Sequence, residues 1–264
     1  MGIHKTRCSV VLLLRDAYTG LKPAPSSVSL QVEGAHVTKP IVKTGDGLWV
    51  FTDLARDPAI ITINSPIYSK QVLTINLAEL NPLDPLVTVA LLPGRSYPLP
   101  PDATVLTGRL QSAAGKSLEG IAVRAALCDE RGAKARLTTD ALPGSTEFET
   151  APILGRISEG DRYEIRSRDG QVLEECEIAG FGTDRRKVKV SNPIQSAVPR
   201  GSLLLPIITA ICDASGEFRI VFRPPLASST LKVEVSVNSG QVKHESVHIL
   251  QAGRNSIQDP IILT

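Results

Sequence analysis

The chain is poor in aromatic residues, with one Trp, four Tyr and five Phe among 264 residues, and it has a single Met. Exposed stacking platforms for bases or sugars are correspondingly scarce. It also lacks charge of one sign. A formal net charge of +2 excludes the strong basic bias of a nucleic-acid binder, so no nucleic-acid partner is expected. Long apolar runs are absent as well. None approaches the ~20 residues of a membrane span, and no membrane span is expected. The four cysteines, Cys8, Cys128, Cys176 and Cys212, form no C-x-x-C pair, which argues against zinc and predicts free, buried thiols beside apolar runs.

The amino terminus imitates a secretory leader and then departs from it. Lys5 and Arg7 precede the run Cys8–Leu14, but Arg15 and Asp16 end it, and no small-x-small site follows. The segment reads as a first buried strand. A chain without a leader is expected to be made in the cytoplasm and, from there, to be incorporated into a particle.

What is present is a repeated strand signature. Asp46-Gly47-Leu48-Trp49-Val50-Phe51 and Ser215-Gly216-Glu217-Phe218 each pass from a turn Gly into a strand with an aromatic two residues later. Between them lies Pro93-Gly94-Arg95-Ser96-Tyr97-Pro98-Leu99-Pro100-Pro101, which is too proline-rich for strand or helix and reads as a semi-rigid spacer. Period-two patterning, as in Val28-Ser29-Leu30-Gln31-Val32, and frequent Gly, Pro, Asn and Asp breaks predict short antiparallel strands. The fold class is all-β, with two tandem antiparallel β-sandwiches of transthyretin-like or Ig-like type. The boundaries are 1–92 for the first, 93–102 for the linker and 103–264 for the second. Residues 129–205 exceed a simple connection and read as an inserted hairpin or subdomain.

The second region resembles the carboxypeptidase regulatory-like family, which is similar to transthyretin. The likeness rests on Leu106-Thr107-Gly108-Arg109-Leu110, on Gly115 and Gly120 as turn residues, on Val123, and on the closing element Cys212-Asp213-Ala214-Ser215-Gly216-Glu217-Phe218. It implies a sandwich with Val123 and Phe218 inward, and a non-catalytic accessory or adhesive role.

Candidate chemistry is thin. His244-Glu245-Ser246-Val247-His248 has the zinc-protease form H-E-x-x-H, and a zinc hydrolase through His244 and His248 is one alternative. That motif needs a helix, where residues four apart lie ~5–6 Å apart on one face. The alternation of Val242–Leu250 predicts a strand instead, which holds the two histidines ~13 Å apart; only Asp259 follows as a further acid. His4 and His36 stand in ordinary polar surroundings, and there is no G-x-S-x-G. Gly180-Phe181-Gly182-Thr183-Asp184 lacks the Lys-Ser/Thr of a phosphate loop and reads as a turn. No catalytic residue, metal ligand or cofactor site is expected, and no cofactor.

Two surfaces are candidate interfaces. Arg185, Arg186 and Lys187 are the densest basic cluster, read as a solvated strand face with Val188 and Val190 inward, or as a contact for an acidic partner. Leu203, Leu204, Leu205, Ile207 and Ile208 flank Pro206; the apolar run reads as a strand buried within the fold or, since Pro206 cannot donate in a central ladder, as an edge or crossing segment that contacts a partner. Trp49, Tyr68 and Tyr97 are the possible platforms of an alternative carbohydrate- or surface-ligand-binding module; whether any small molecule is bound stays open. The leading expectation is a non-enzymatic structural protein whose partners are other proteins of a multi-subunit assembly, such as a phage tail or a tail-like contractile injection machine.

Overall fold

The computed structural model describes residues 7–33, 40–43, 45–54, 57–240 and 242–263; His4 and His36 lie outside them. The described chain is almost entirely strand and divides into two compact units, Met1–Pro98 and Leu99–Thr264.

The first unit contains β1 (Cys8–Asp16), β2 (Ser29–Val32), β3 (Ile41–Lys43), β4 (Leu48–Thr52), β5 (Ala59–Asn64), β6 (Gln71–Ile75) and β7 (Leu86–Leu91). They form two sheets, in the orders β3-β4-β1-β7 and β2-β5-β6. All pairings are antiparallel except β1 with β7, which run parallel. Period-two alternation on β1 turns Val10, Leu12, Leu14 and Asp16 inward, so the row of three aliphatics ends on a buried carboxylate.

The second unit contains β8 (Thr104–Ser112), β9 (Ala122–Leu127), β10 (Ala135–Leu137), β11 (Glu147–Pro152), β12 (Arg162–Arg166), β13 (Val172–Phe181), β14 (Lys187–Val190), β15 (Leu203–Ile211), β16 (Glu217–Phe222), β17 (Thr230–Ser239), β18 (Val242–Gln251), β19 (Asn255–Ile257) and β20 (Ile261–Leu263). One sheet runs β10-β11-β14-β13-β12-β15-β9-β17-β18, and β10 also pairs with β15. That extra pairing closes β10, β11, β14, β13, β12 and β15 into a ring in which each pairing is antiparallel. Residues 129–205 thus build, with β15, a small closed barrel. Its core includes Phe148, Tyr163, Ile165, Ile178, Val188 and Leu204. Closure removes every sheet edge from this segment.

The remainder is a sandwich. Strands β9, β17, β18 and the end of β15 face a second sheet of β16 and β8, with β19 and β20 parallel on the far side of β8. The repeated signature acts alike in both units. Gly47 and Gly216 take left-handed φ values of 71° and 76°, and Trp49 and Phe218 turn inward behind them. Phe218 lies opposite Gly108 on β8. A Cβ at residue 108 would collide with its ring, so the glycine makes room for the aromatic.

Strand β15 decides between the two readings of its apolar run in favour of burial and against the edge contact. It is central, paired with β12 on one side and with β10 and then β9 on the other. The β10 pairing covers Leu203 and Leu204, whereas the β9 pairing begins at Ile207. Leu204 accepts from the Lys134 amide on that side at 2.9 Å. Two residues on, Pro206 faces the interval between the two strands, where no ladder requires a donor. Leu203 and Leu205 join the sandwich core while Leu204 joins the barrel core. A strand buried on both faces reads as an unbroken apolar run for that reason.

Candidate functional site

The H-E-x-x-H motif lies on β18, so its histidines stand on one extended edge strand. His244 and His248 oppose Val237 and Val233 of β17. The Ser246 hydroxyl lies 2.8 Å from His248 Nε2. Burial, and then the charge of His244, hold the His248 imidazole below its usual value. Among the described residues no group of three or more His, Cys, Asp or Glu converges as a metal site.

The three aromatic platform candidates are internal. Trp49, Tyr68 and Tyr97 are 6%, 6% and 8% exposed, which leaves no ring face for a sugar. Tyr68 and Tyr97 have a different partner. Their hydroxyls donate to Asp16 Oδ2 at 2.9 and 2.6 Å, and the Tyr18 and Thr19 amides donate to Asp16 Oδ1 at 2.7 and 2.9 Å. Four neutral donors satisfy this carboxylate. Burial, the hydrogen bond to Asp16 and its charge raise both tyrosines above their ordinary value. The ring of Tyr97 also sits 5.7 Å from Tyr68 and edge-on to Tyr18 at 6.1 Å.

This cluster changes the meaning of the proline-rich joint. Gly94 donates to the Ile67 carbonyl at 2.8 Å, Tyr68 bridges Pro93, and Tyr97 is anchored at Asp16. Residues 93–97 therefore belong to the first unit as a fastened strap. The only sequence sign of it was an acid closing an inward aliphatic row.

The second unit has its own buried carboxylate. Glu164 on β12 accepts from Arg124 of β9 and, at 2.7 Å, from Arg166 Nε. Arg124 also meets Glu175 of β13 at 2.8 Å, Arg162 meets Glu175 at 3.1 Å, and Arg166 reaches Glu234 of β17 at 3.5 Å. Barrel strands β12 and β13 are thereby tied to sandwich strands β9 and β17. A second tie lies elsewhere. Lys134 Nζ donates to the Pro225 carbonyl at 2.9 Å, and Asp161 pairs with Arg223 at 3.2 Å while accepting from the Tyr163 hydroxyl at 3.1 Å. Burial and the neighbouring Arg223 depress the Lys134 amine, with Asp161 opposing them. Nothing in Tyr163-Glu164-Ile165-Arg166 marked its alternate acid as buried, because the groups that cover it come from distant strands.

The proposed interface residues separate. Leu203, Leu204, Leu205 and Ile207 are buried, and Ile208 is half-buried against the sandwich core; they supply packing and no docking surface. Arg185, Arg186 and Lys187 are exposed at the β13–β14 hairpin. Arg185 lies over the Phe181 ring at 5.3 Å and Arg186 pairs with Asp184 at 3.4 Å. Lys187 and Lys189 stand opposite Glu149 and Glu147, with Val188 and Val190 inward. The basic cluster is therefore balanced locally by acids. The four cysteines are free, and Cys8, unlike Cys176 and Cys212, is exposed. No helix among the described residues is long and apolar enough to cross a membrane.

No family model matches the chain, and no curated protein sequence does. Among solved structures, the chain is similar to the shaft pilin spaA from Lactobacillus rhamnosus GG, at 11% identity over 98% of this chain and 97% of that one, with a TM-score of 0.24. It is similar also to a streptococcal ancillary pilin, at 8% identity over 98% of this chain and 69% of that one, with a TM-score of 0.26.

Proposed function

We propose that this chain is a non-catalytic structural subunit of a multi-protein assembly, made of rigid β units that present surfaces to neighbouring subunits. The observation that carries this reading is how its buried polar groups are engaged. Asp16, Glu164, Lys134 and Asp161, the groups from which a reaction centre would be built, are bonded to the chain's own residues. They fasten a strap to the first unit and a barrel to a sandwich in the second. Buried networks of this kind hold geometry. A catalytic group would instead present a free valence to a substrate.

The finer form of the proposal is a component of a phage tail or a tail-like contractile injection particle, synthesised in the cytoplasm and incorporated during particle assembly. Its sandwich, similar in turn and core residues to carboxypeptidase regulatory-like domains, serves there as an accessory module; this step is by analogy of fold. Affinity capture of the chain from its native cells, followed by sizing of the recovered material, tests the reading. Co-elution with a large particle of defined subunits is expected. Recovery solely as a free chain, with no stoichiometric protein partner, would overturn it.

A further inference from the structure

The sandwich of the second unit is open on one side. Strand β16 ends the sheet on the side of β15, and β18, β19 and β20 lie at the opposite flank. Strand β18 is the end of its sheet and runs ten residues with neither Pro nor Gly. Beyond it, among the described residues, no strand pairs with its outer side. Edges of this length are normally blunted by proline, bulges or free lysines. The lysine here, Lys243, is held by Glu245 at 2.6 Å. Val247 and Ile249, 56% and 67% exposed, follow on the same row, and Ile257 and Ile262 are exposed on β19 and β20. Large exposed aliphatics of the sandwich thus gather at this flank.

We infer that β18 pairs antiparallel, edge to edge, with β18 of a second copy of this chain, in the register that places Val247 opposite itself. A two-fold axis keeps each sheet face continuous, so exposed residues meet exposed residues. Centring on Glu245 would oppose two carboxylates. Centring on Ser246 would bring His244 against His248 of the other copy. Centring on Val247 joins the aliphatics at the middle. It also sets Ser246 opposite His248, the same hydroxyl–imidazole pairing that β18 already makes within one strand at 2.8 Å. A register centred on Ile249 would also oppose no like charges, but its ladder would keep only residues 247–251; centring on Val247 keeps 243–251, opposes no like charges, and sets Ile249 across from Glu245 of the other copy.

This deepens the assembly reading without standing or falling with it: a chain that stays monomeric when purified yet enters a particle would sink the edge pairing alone. The test is sedimentation of the full chain over the micromolar to submillimolar range. Wild type is expected to show a reversible monomer–dimer equilibrium. Val247→Lys and Val247→Glu should each weaken it by about tenfold or more, because the register sets each new charge against its own copy. Mixing the two variants should restore a dimer containing one of each. Residue 247 is exposed, so unchanged melting of both variants checks folding. A monomeric wild type, a dimer indifferent to both substitutions, or failure of the mixture to pair would each refute the inference. So would a monomer whose edge takes up a synthetic peptide of residues 242–251 without dimerising.

Discussion

Asp16 and Glu164 are both buried carboxylates, each at the heart of one unit, and the chain satisfies them by opposite means. Asp16 is surrounded by neutral donors: two tyrosine hydroxyls and two backbone amides. Glu164 is held by two guanidinium groups. The first arrangement gathers groups adjacent in space but all within one unit, and fastens a strap. The second collects charges from four strands and laces barrel to sandwich. Neutral donors leave little behind when one is lost. Charged ones leave an uncompensated ion.

That contrast ranks the expected effects of substitution. Glu164→Ala removes the buried acceptor that Arg124 and Arg166 share, leaving them only Glu175 and Glu234, and should destabilise the second unit by about 3–5 kcal/mol. Far-UV circular dichroism through a denaturant titration reads this. Trp49, the single tryptophan, lies in the first unit, so its fluorescence transition should not move. Were Trp49 to shift equally, the two carboxylates would not belong to separately unfolding units. Tyr97→Phe removes one donor from a charged acceptor and should cost about 1.5–3 kcal/mol, now in the Trp49 transition. An unaffected midpoint would mean the strap is not held at Asp16. Gly108→Ala should cost about 1–3 kcal/mol by overpacking the Phe218 ring, and Phe218→Leu in the same chain should recover part of the loss.

Alkali separates the units more gently. Burial, and then the neighbouring acids, push the Cys176 and Cys212 thiols from 9.0 up to about 12, while Tyr68 and Tyr97 are raised from 10.0. Each group is harder to deprotonate when folded, so its contribution is complete below the unfolded value and is lost as pH rises past it. The second unit should begin to weaken near pH 9 and the first near pH 10, although Lys134, depressed by burial, acts in the opposite sense and blunts the earlier fall. Circular dichroism and Trp49 fluorescence followed together will show whether that order holds. The smallest effect is acidic. His248 is depressed below 6.5, so the unfolded chain takes up its proton first and stability should decline slightly below that pH. His248→Gln should remove the slope.

Much of the strand inventory was legible beforehand because it is local. Cys8–Leu14, Leu48–Phe51 and Glu217–Phe222 carry their apolar periodicity within a few residues, and each is found as a strand. Ala135–Leu137 and Asn255–Ile257 were not legible, since three residues carry no period. Glu147–Pro152 does alternate, with Phe148 and Thr150 inward, but with one large apolar residue in six it offers too little signal to mark a strand. Pro206 misled for a more interesting reason: the rule against central prolines holds, and the gap between β10 and β9 met it in a way no linear pattern records.

Composition and alternation determined that the chain would be all-β, with a glycine-then-aromatic entry into each core and an extended strand where H-E-x-x-H falls. Those are short-range consequences of side-chain size and backbone freedom. Tertiary structure alone decided that β10 returns to β15 to close a barrel, that Glu164 and Arg166 are buried while Arg162 of the same row is exposed, and that the strap ends on Asp16. Each depends on groups many residues apart meeting in space, where burial removes water and makes their pairing obligatory.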